Sequence, residues 1–327
     1  MRRNKKFGMR IGVCFITLCA LLLCSCRYHT EPEQIYPVSA MGFDCAEEGI
    51  RVTVEIAAAE GGEHSRTEAV CFSQTGESVE QALKSMADGL PRAMIFSHCA
   101  LAVLGDGLTK EQMQEIFAFA GVENGLPLAA ELVVGANAEA LLRSKRLSLA
   151  AAGYEIPEIL ERERSRRGAE LPCQLYRLRA VFSPDLPISL PRFEVTEHSS
   201  VRFVGVDILR PYADPYRLTA EECTAHAILT NTYTGGSGNE IRWKLIRERI
   251  RVPAANAITL HLRLRMTGET EQEAARLAEE LKQRAERLYQ RVTAETGEDL
   301  FLLEQRLKRQ GAHWNAQAVL TVECEVK

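Results

Sequence analysis

The sequence predicts an α+β protein of more than one domain, with mainly antiparallel or mixed sheets and helices packed on them. Three observations carry this. Apolar residues alternate strictly over Val52, Val54 and Ile56, and again over Ile258, Leu260, Leu262, Leu264 and Met266, which is the period of strands with one face on a core. Four helix starts are marked by a hydroxyl residue followed three positions later by Glu or Gln. Ala274, Leu277, Ala278, Leu281, Ala285, Leu288, Tyr289 and Val292 form one stripe on the last of these helices, with Glu, Lys and Arg opposite.

In chain order, Arg2, Arg3, Lys5, Lys6 and Arg10 come first, with no acidic residue among them. The 13-residue apolar stretch Ile11 to Leu23 follows. This is the order of a secretory signal, and the stretch falls short of the roughly 20 residues a spanning helix needs. Leu23-Cys24-Ser25-Cys26 resembles the bacterial lipobox, with Leu three before the cysteine and small Ser just before it. Cys24 is the rival position, but bulky Leu23 would adjoin that cut. Residues 1–25 are therefore expected to be a lipoprotein signal peptide. Cys26 is the expected lipidation site, which makes the bilayer a partner.

Loss of residues 1–25 leaves 35 basic and 44 acidic residues, a formal charge of about −9. That balance excludes a nucleic-acid partner, which wants a basic face, and leaves the acyl anchor to hold the membrane. Beyond Cys26 the cysteines are Cys45, Cys71, Cys99, Cys173, Cys223 and Cys324. No C-x-x-C pair occurs, so a zinc or redox motif has no support. Wide spacing in apolar surroundings favours free buried thiols over a disulfide framework.

Residues 27–37 read as a polar tether. Val38–Phe43 and Ile50–Ala57 read as strands, joined by a turn at Cys45–Gly49, and Gly61-Gly62 marks a loop. Ser78 with Gln81 opens a helix carrying Val79, Ala82, Leu83 and Met86 inward. Thr109 with Gln112 opens one carrying Met113, Ile116 and Phe117. Met94–Leu104 reads as one central strand and Leu128–Val134 as another. Prolines 184, 187 and 191 make Leu175–Glu197 look like a connection between domains. The expected domains are 26–190 and 191–327, the latter with a candidate division near 255. Val201–Leu209, Trp243–Val252, Ala257–Met266 and Ala316–Val326 read as strands. Thr219 with Glu222 opens a short helix, and Thr270 with Glu273 the long one.

Several motifs fail on inspection. Gly105-Asp106-Gly107 lacks the third glycine of a nucleotide fingerprint, whose position is Lys110. Gly235-Gly236-Ser237-Gly238-Asn239 lacks the final glycine of a nucleophile elbow and reads as a flexible turn. The seven histidines show no i, i+3 or i, i+4 pair. His98, at the start of an apolar strand, reads as a hydrogen-bonded structural residue rather than a ligand. Glu161–Arg167 reads as a solvated helix face, with a docking edge as the alternative. No catalytic, cofactor or metal site is expected.

A family resemblance rests on particular segments. Ile35-Tyr36-Pro37-Val38-Ser39-Ala40-Met41-Gly42-Phe43-Asp44 is followed by Arg51-Val52-Thr53-Val54-Glu55-Ile56. Then come Glu77–Leu83, Leu90-Pro91-Arg92, Phe96-Ser97-His98-Cys99 and Leu101-Ala102-Val103-Leu104-Gly105. The order resembles that of the Ger(x)C spore germination lipoproteins, the C subunits of nutrient germinant receptors. Phe203–Val206, Leu218–Leu229, the long helix, Gly297–Phe301 and Trp314 agree more loosely. One departure is Arg27-Tyr28, where such proteins usually carry Trp-Asp. The resemblance implies a non-enzymatic subunit of several α+β domains that assembles with two integral membrane receptor subunits. It would sit on the outer face of the bacterial cytoplasmic membrane, which is the inner membrane of the spore. The rival readings are a solute-binding lipoprotein serving a transporter and an extracytoplasmic enzyme. The first expects two similar lobes with crossover helices, and the second a recognisable nucleophile or carboxylate pair.

Overall fold

The computed structural model describes residues 35–59, 67–122, 125–144, 151–181, 183, 185–238, 241–254, 257–267, 271–308 and 319–326. The expected signal peptide, Cys26, Gly61-Gly62, Asn239, Thr270 and Trp314 lie outside these residues.

Strands β1 (Ile35–Cys45) and β2 (Ile50–Ala59) form an antiparallel pair, as their alternation predicts. Beside β2 lies β3 (Thr67–Gly76), which the sequence reading missed because its exposed face shows little apolar contrast. Helix α1 (Val79–Asp88) follows, capped by the Ser78 hydroxyl accepting from the Gln81 N–H. Its Val79, Ala82 and Met86 are buried.

The expected single strand Met94–Leu104 is instead two short ones, β4 (Ala93–Ile95) and β5 (Leu101–Leu104). A turn separates them, closed by the Cys99 N–H donating to the Phe96 carbonyl at 2.8 Å. β5 then runs parallel to β1. Helix α2 (Lys110–Phe119) carries the full reciprocal capping box of Thr109 and Gln112. β6 (Glu131–Val134) pairs in parallel with β5. Helices α3 (Ala138–Leu142) and α4 (Ala152–Arg167) follow.

Leu175–Glu197 is not an open connection. It contains helix α5 (Leu175–Val181) and strand β7 (Ile188–Val195), which pairs with β6 at one position and with β8 (Val201–Arg210) along its length. Pro191 sits within β7, although proline lacks the N–H a ladder uses. Strand β9 (Ala213–Thr219) pairs with β8 and had no counterpart in the sequence reading. Among the described residues, the first sheet has nine strands in the order β3-β2-β1-β5-β6-β7-β8-β9, with β4 attached to β1. The boundary expected at 190/191 falls inside β7, and Tyr36–Lys327 groups as one compact unit.

The Thr219–Glu222 capping box opens a turn of 3₁₀ helix that leads into α6 (Cys223–Thr230). Gly235–Gly238 is strand β10 rather than a free turn, because it pairs with β11 (Ile241–Ala254). β12 (Ala257–Thr267) is antiparallel to β11, and the long helix α7 spans Glu271–Thr296. After α8 (Leu303–Lys308), strand β13 (Val319–Val326) returns parallel to β12, completing a four-stranded sheet. Leu281, Ala285, Leu288, Tyr289 and Val292 of α7 are buried, packed with Ile258, Leu260, Leu262, Leu264 and Val322 in the core. Both sheets carry helices, so the fold is α+β as the sequence predicts.

Buried carboxylates join helices to the first sheet. Glu55 of β2 is fully buried, and its carboxylate accepts from the Ala152 N–H at 2.7 Å, the Gly153 N–H at 2.9 Å and the Ser39 hydroxyl at 2.8 Å. Residue Ala151 gives α4 no side-chain cap, so Glu55 supplies the missing acceptor and the negative charge favoured at a helix N-terminus. A Cβ on Gly153 would lie 2.1 Å from the Ser39 carbonyl oxygen, so only glycine permits this approach. Asp44 of β1 treats α3 likewise, accepting from the Ala138 and Glu139 N–H groups at 2.7 and 2.9 Å.

Candidate functional site

The parallel strands β1, β5 and β6 end together, and a crevice opens beyond their carboxyl ends, where open sheets of this kind commonly bind ligands. Its volume is about 370 Å³. Leu104, Val134, Ile188 and Leu209 contribute from the strands, Met113 from α2, and Pro211 and Asp214 from the β8–β9 hairpin. Gly105-Asp106-Gly107 forms one wall. Gly105 donates its N–H to the Phe43 carbonyl at 2.7 Å, and a Cβ there would lie 2.0 Å from Asp44 Oδ1. Close backbone packing therefore accounts for this glycine without a phosphate.

Beside the crevice, Asp106 accepts two hydrogen bonds from Arg192, at 3.0 and 3.1 Å, and one from Arg217 at 2.7 Å. Arg192 also donates to Asp207 at 2.6 Å. Both Arg192 and Asp207 are buried, which makes mutual neutralisation necessary. Burial raises the Asp207 pKa, with the Arg192 charge opposing. Burial acts upward on Asp106 too, but the Arg192 and Arg217 contacts outweigh it and hold the carboxyl below its ordinary value. Two cations and two anions thus pin the β5–α2 loop to β7, β8 and β9.

At the rim, the Lys110 ammonium donates to Asp185 at 2.9 Å and to the Tyr212 hydroxyl at 3.1 Å. It lies 4.6 Å from the centre of the Tyr212 ring. Lys110 and Asp185 at the rim are thus already partnered. Such a crevice offers apolar contact and a few hydrogen bonds, and no paired nucleophile and base stands in it. Among the described residues, no group of three or more His, Cys, Asp and Glu side chains is placed to hold a metal ion.

The other sequence candidates are dispersed. His98 is exposed in the turn between β4 and β5, not buried at a strand start. In Glu161–Arg167, Arg164 turns inward to Glu131 at 2.6 Å and to the Cys173 sulfur at 2.8 Å, while Glu161, Arg162 and Arg166 are exposed. Only part of that segment is therefore a solvated face. All six described cysteines are free. Cys99, Cys173 and Cys223 are buried, which pushes each thiol up to about 12, whereas Cys45 is exposed.

His226 escaped the sequence reading as anything but one scattered histidine. It is buried on α6 against the Phe301 ring at 6.1 Å, with Nε2 2.9 Å from the Ser189 hydroxyl. Burial lowers its pKa to about 4. The crevice was missed because the β8–β9 hairpin was. Pro211 in its turn and Pro215 early in β9 were the available signal.

Comparison with known proteins places this architecture. The crystal structure of the GerBC protein superposes with a TM-score of 0.51 at 13% identity, covering 88% of this chain and 96% of that one. At that identity the match speaks to the fold. No curated protein sequence matches the chain. The family model of the spore germination protein N-terminal domain matches residues 28–195, half of the sequence and the part that builds most of the first sheet. The chain belongs to the Ger(x)C family of spore germination proteins.

Proposed function

We propose that this protein is the lipid-anchored, non-catalytic C subunit of a nutrient germinant receptor, acting in receptor assembly and spore germination. The observation that carries this is the family match over residues 28–195. Cys26 is the proposed acylated residue, and the proposed location is the outer face of the cytoplasmic membrane, the inner membrane of the spore. The proposed partners are two integral membrane receptor subunits. No helix among the described residues is long and apolar enough to cross a membrane, so the reading assigns retention to the acyl chains. A solute-binding lipoprotein would call for two similar lobes. The nine-stranded and four-stranded sheets are unlike, which favours the receptor reading.

The test is Cys26→Ala in the sporulating host. The variant is expected to remain an uncut precursor or to leave the membrane fraction. An unchanged mass with unchanged membrane retention would refute the lipid assignment.

A further inference from the structure

β1, β5 and β6 start at one end of the first sheet, and the described chain enters there at Ile35. Cys26 precedes Ile35 by nine residues. Fully extended, that segment reaches at most about 30 Å. β1 then runs 11 residues to exposed Cys45, a further ~35 Å. If Cys26 is acylated, as proposed above, the entry end is the one held near lipid, and the crevice opens at the other.

The entry end has its own surface chemistry. The Arg92 guanidinium lies 5.3 Å from the centre of the Tyr36 ring. Next to it is the β4–β5 turn with exposed His98, tied to β1 by the Ala100 N–H donating to the Ser39 carbonyl at 3.0 Å. Phe96 of that turn meets Phe119 edge-on at 6.4 Å, which brings the loop after α2 alongside. That loop exposes Val122 by 50% and Leu128 by 37%. The Tyr176 N–H donates to the Leu128 carbonyl at 2.8 Å, and Tyr176 itself is 49% exposed. Among the described residues here, Glu131 pairs with Arg164 at 2.6 Å and Glu170 with Arg177 at 2.5 Å.

We propose that this end of the sheet, carrying Tyr36, Arg92, His98, Val122, Leu128 and Tyr176, rests on lipid headgroups. Tyrosine and arginine combine an apolar body with a polar tip and suit the headgroup layer. Val122 and Leu128 supply apolar contact with the acyl boundary. The short tether selects lipid over a protein partner as the occupant. The inference depends on the acylation reading. It adds an orientation: the crevice faces away from the bilayer.

Hydrogen exchange of the mature lipoprotein on phosphatidylethanolamine–phosphatidylglycerol vesicles tests this. The comparison is the Leu128→Asp/Tyr176→Asp lipoprotein on the same vesicles; both positions are exposed, so folding is preserved. Amides at 97–100, 121, 122, 125, 126, 128, 176 and 177 are expected to exchange several-fold more slowly in the wild type. Amides at 105–109 and 212–214 should exchange alike in both. Equal exchange at the entry end, with wild type vesicle-bound, overturns the orientation while leaving acylation standing. Failure of the wild type to bind vesicles overturns acylation and the orientation with it. Slowing that appears only after the membrane receptor subunits are added would assign the face to protein and refute lipid.

Discussion

Replacing Glu55 by Ala probes the central joint of the first sheet. The carboxylate is fully buried and accepts from two α4 amides and the Ser39 hydroxyl at 2.7–2.9 Å. Alanine leaves the Ala152 and Gly153 N–H groups buried without an acceptor, at about 1–3 kcal/mol for each, while the Ser39 hydroxyl keeps the backbone carbonyl of residue 55 at 3.2 Å. Relief from burying the charge, together with water entering the vacated space, offsets part of this. The expected net loss is about 4 kcal/mol. A folded unit of this size unfolds with an entropy of about 0.6 kcal/mol/K, so the melting temperature should fall by about 6–7 °C. Glu55→Gln keeps one acceptor oxygen but turns an N–H donor toward another, and should cost about half as much. Urea unfolding followed by circular dichroism measures the loss, and hydrogen exchange at 152–156 should locate it in the first turn of α4. A Glu55→Ala protein within about 1 kcal/mol of wild type would refute the claim that this carboxylate anchors the helix.

Three further outcomes are expected. Leu281→Ala removes three carbons from a side chain that is 3% exposed, and should cost about 2–5 kcal/mol in urea unfolding of the protein without partners; no loss would mean the α7 stripe awaits another chain. His226 takes up a proton near pH 6.5 when unfolded but only near pH 4 when folded, so stability should fall as pH drops through that window, by on the order of 3 kcal/mol. His226→Gln should lose that part of the pH slope, and an unaltered slope in calorimetric melts would contradict the assignment. A thiol reagent at neutral pH should modify exposed Cys45 well before buried Cys99, Cys173 and Cys223, as peptide mass mapping would show; equal rates would contradict their burial.

Much of the fold was legible because local signals agreed with it. Ser78, Thr109 and Thr219 each begin a helix where their spacing to Gln or Glu predicts one. The Ile258–Leu264 alternation and the α7 stripe pack together as read. Other features depend on tertiary context. Thr53 and Glu55 look like the solvent face of an alternating strand, but both are buried because helices cover that side as well. A charge on a strand gives no local hint that it caps a helix about 97 residues away in sequence, as Glu55 does for Ala152. Pro191 argued against a strand, yet Ile188–Val195 pairs with neighbours on both sides. The crevice needs the β8–β9 hairpin and the β5–α2 loop brought together, a long-range event that no single segment announces.

The most direct test of the receptor reading is the response of spores to nutrients. Spores lacking this protein should fail to lose optical density when given the amino acids or sugars that trigger the parent strain. The wild-type gene should restore the response, and the Cys26→Ala form should not. Full nutrient germination in the deletion strain, with no other C-type subunit present, would contradict the account.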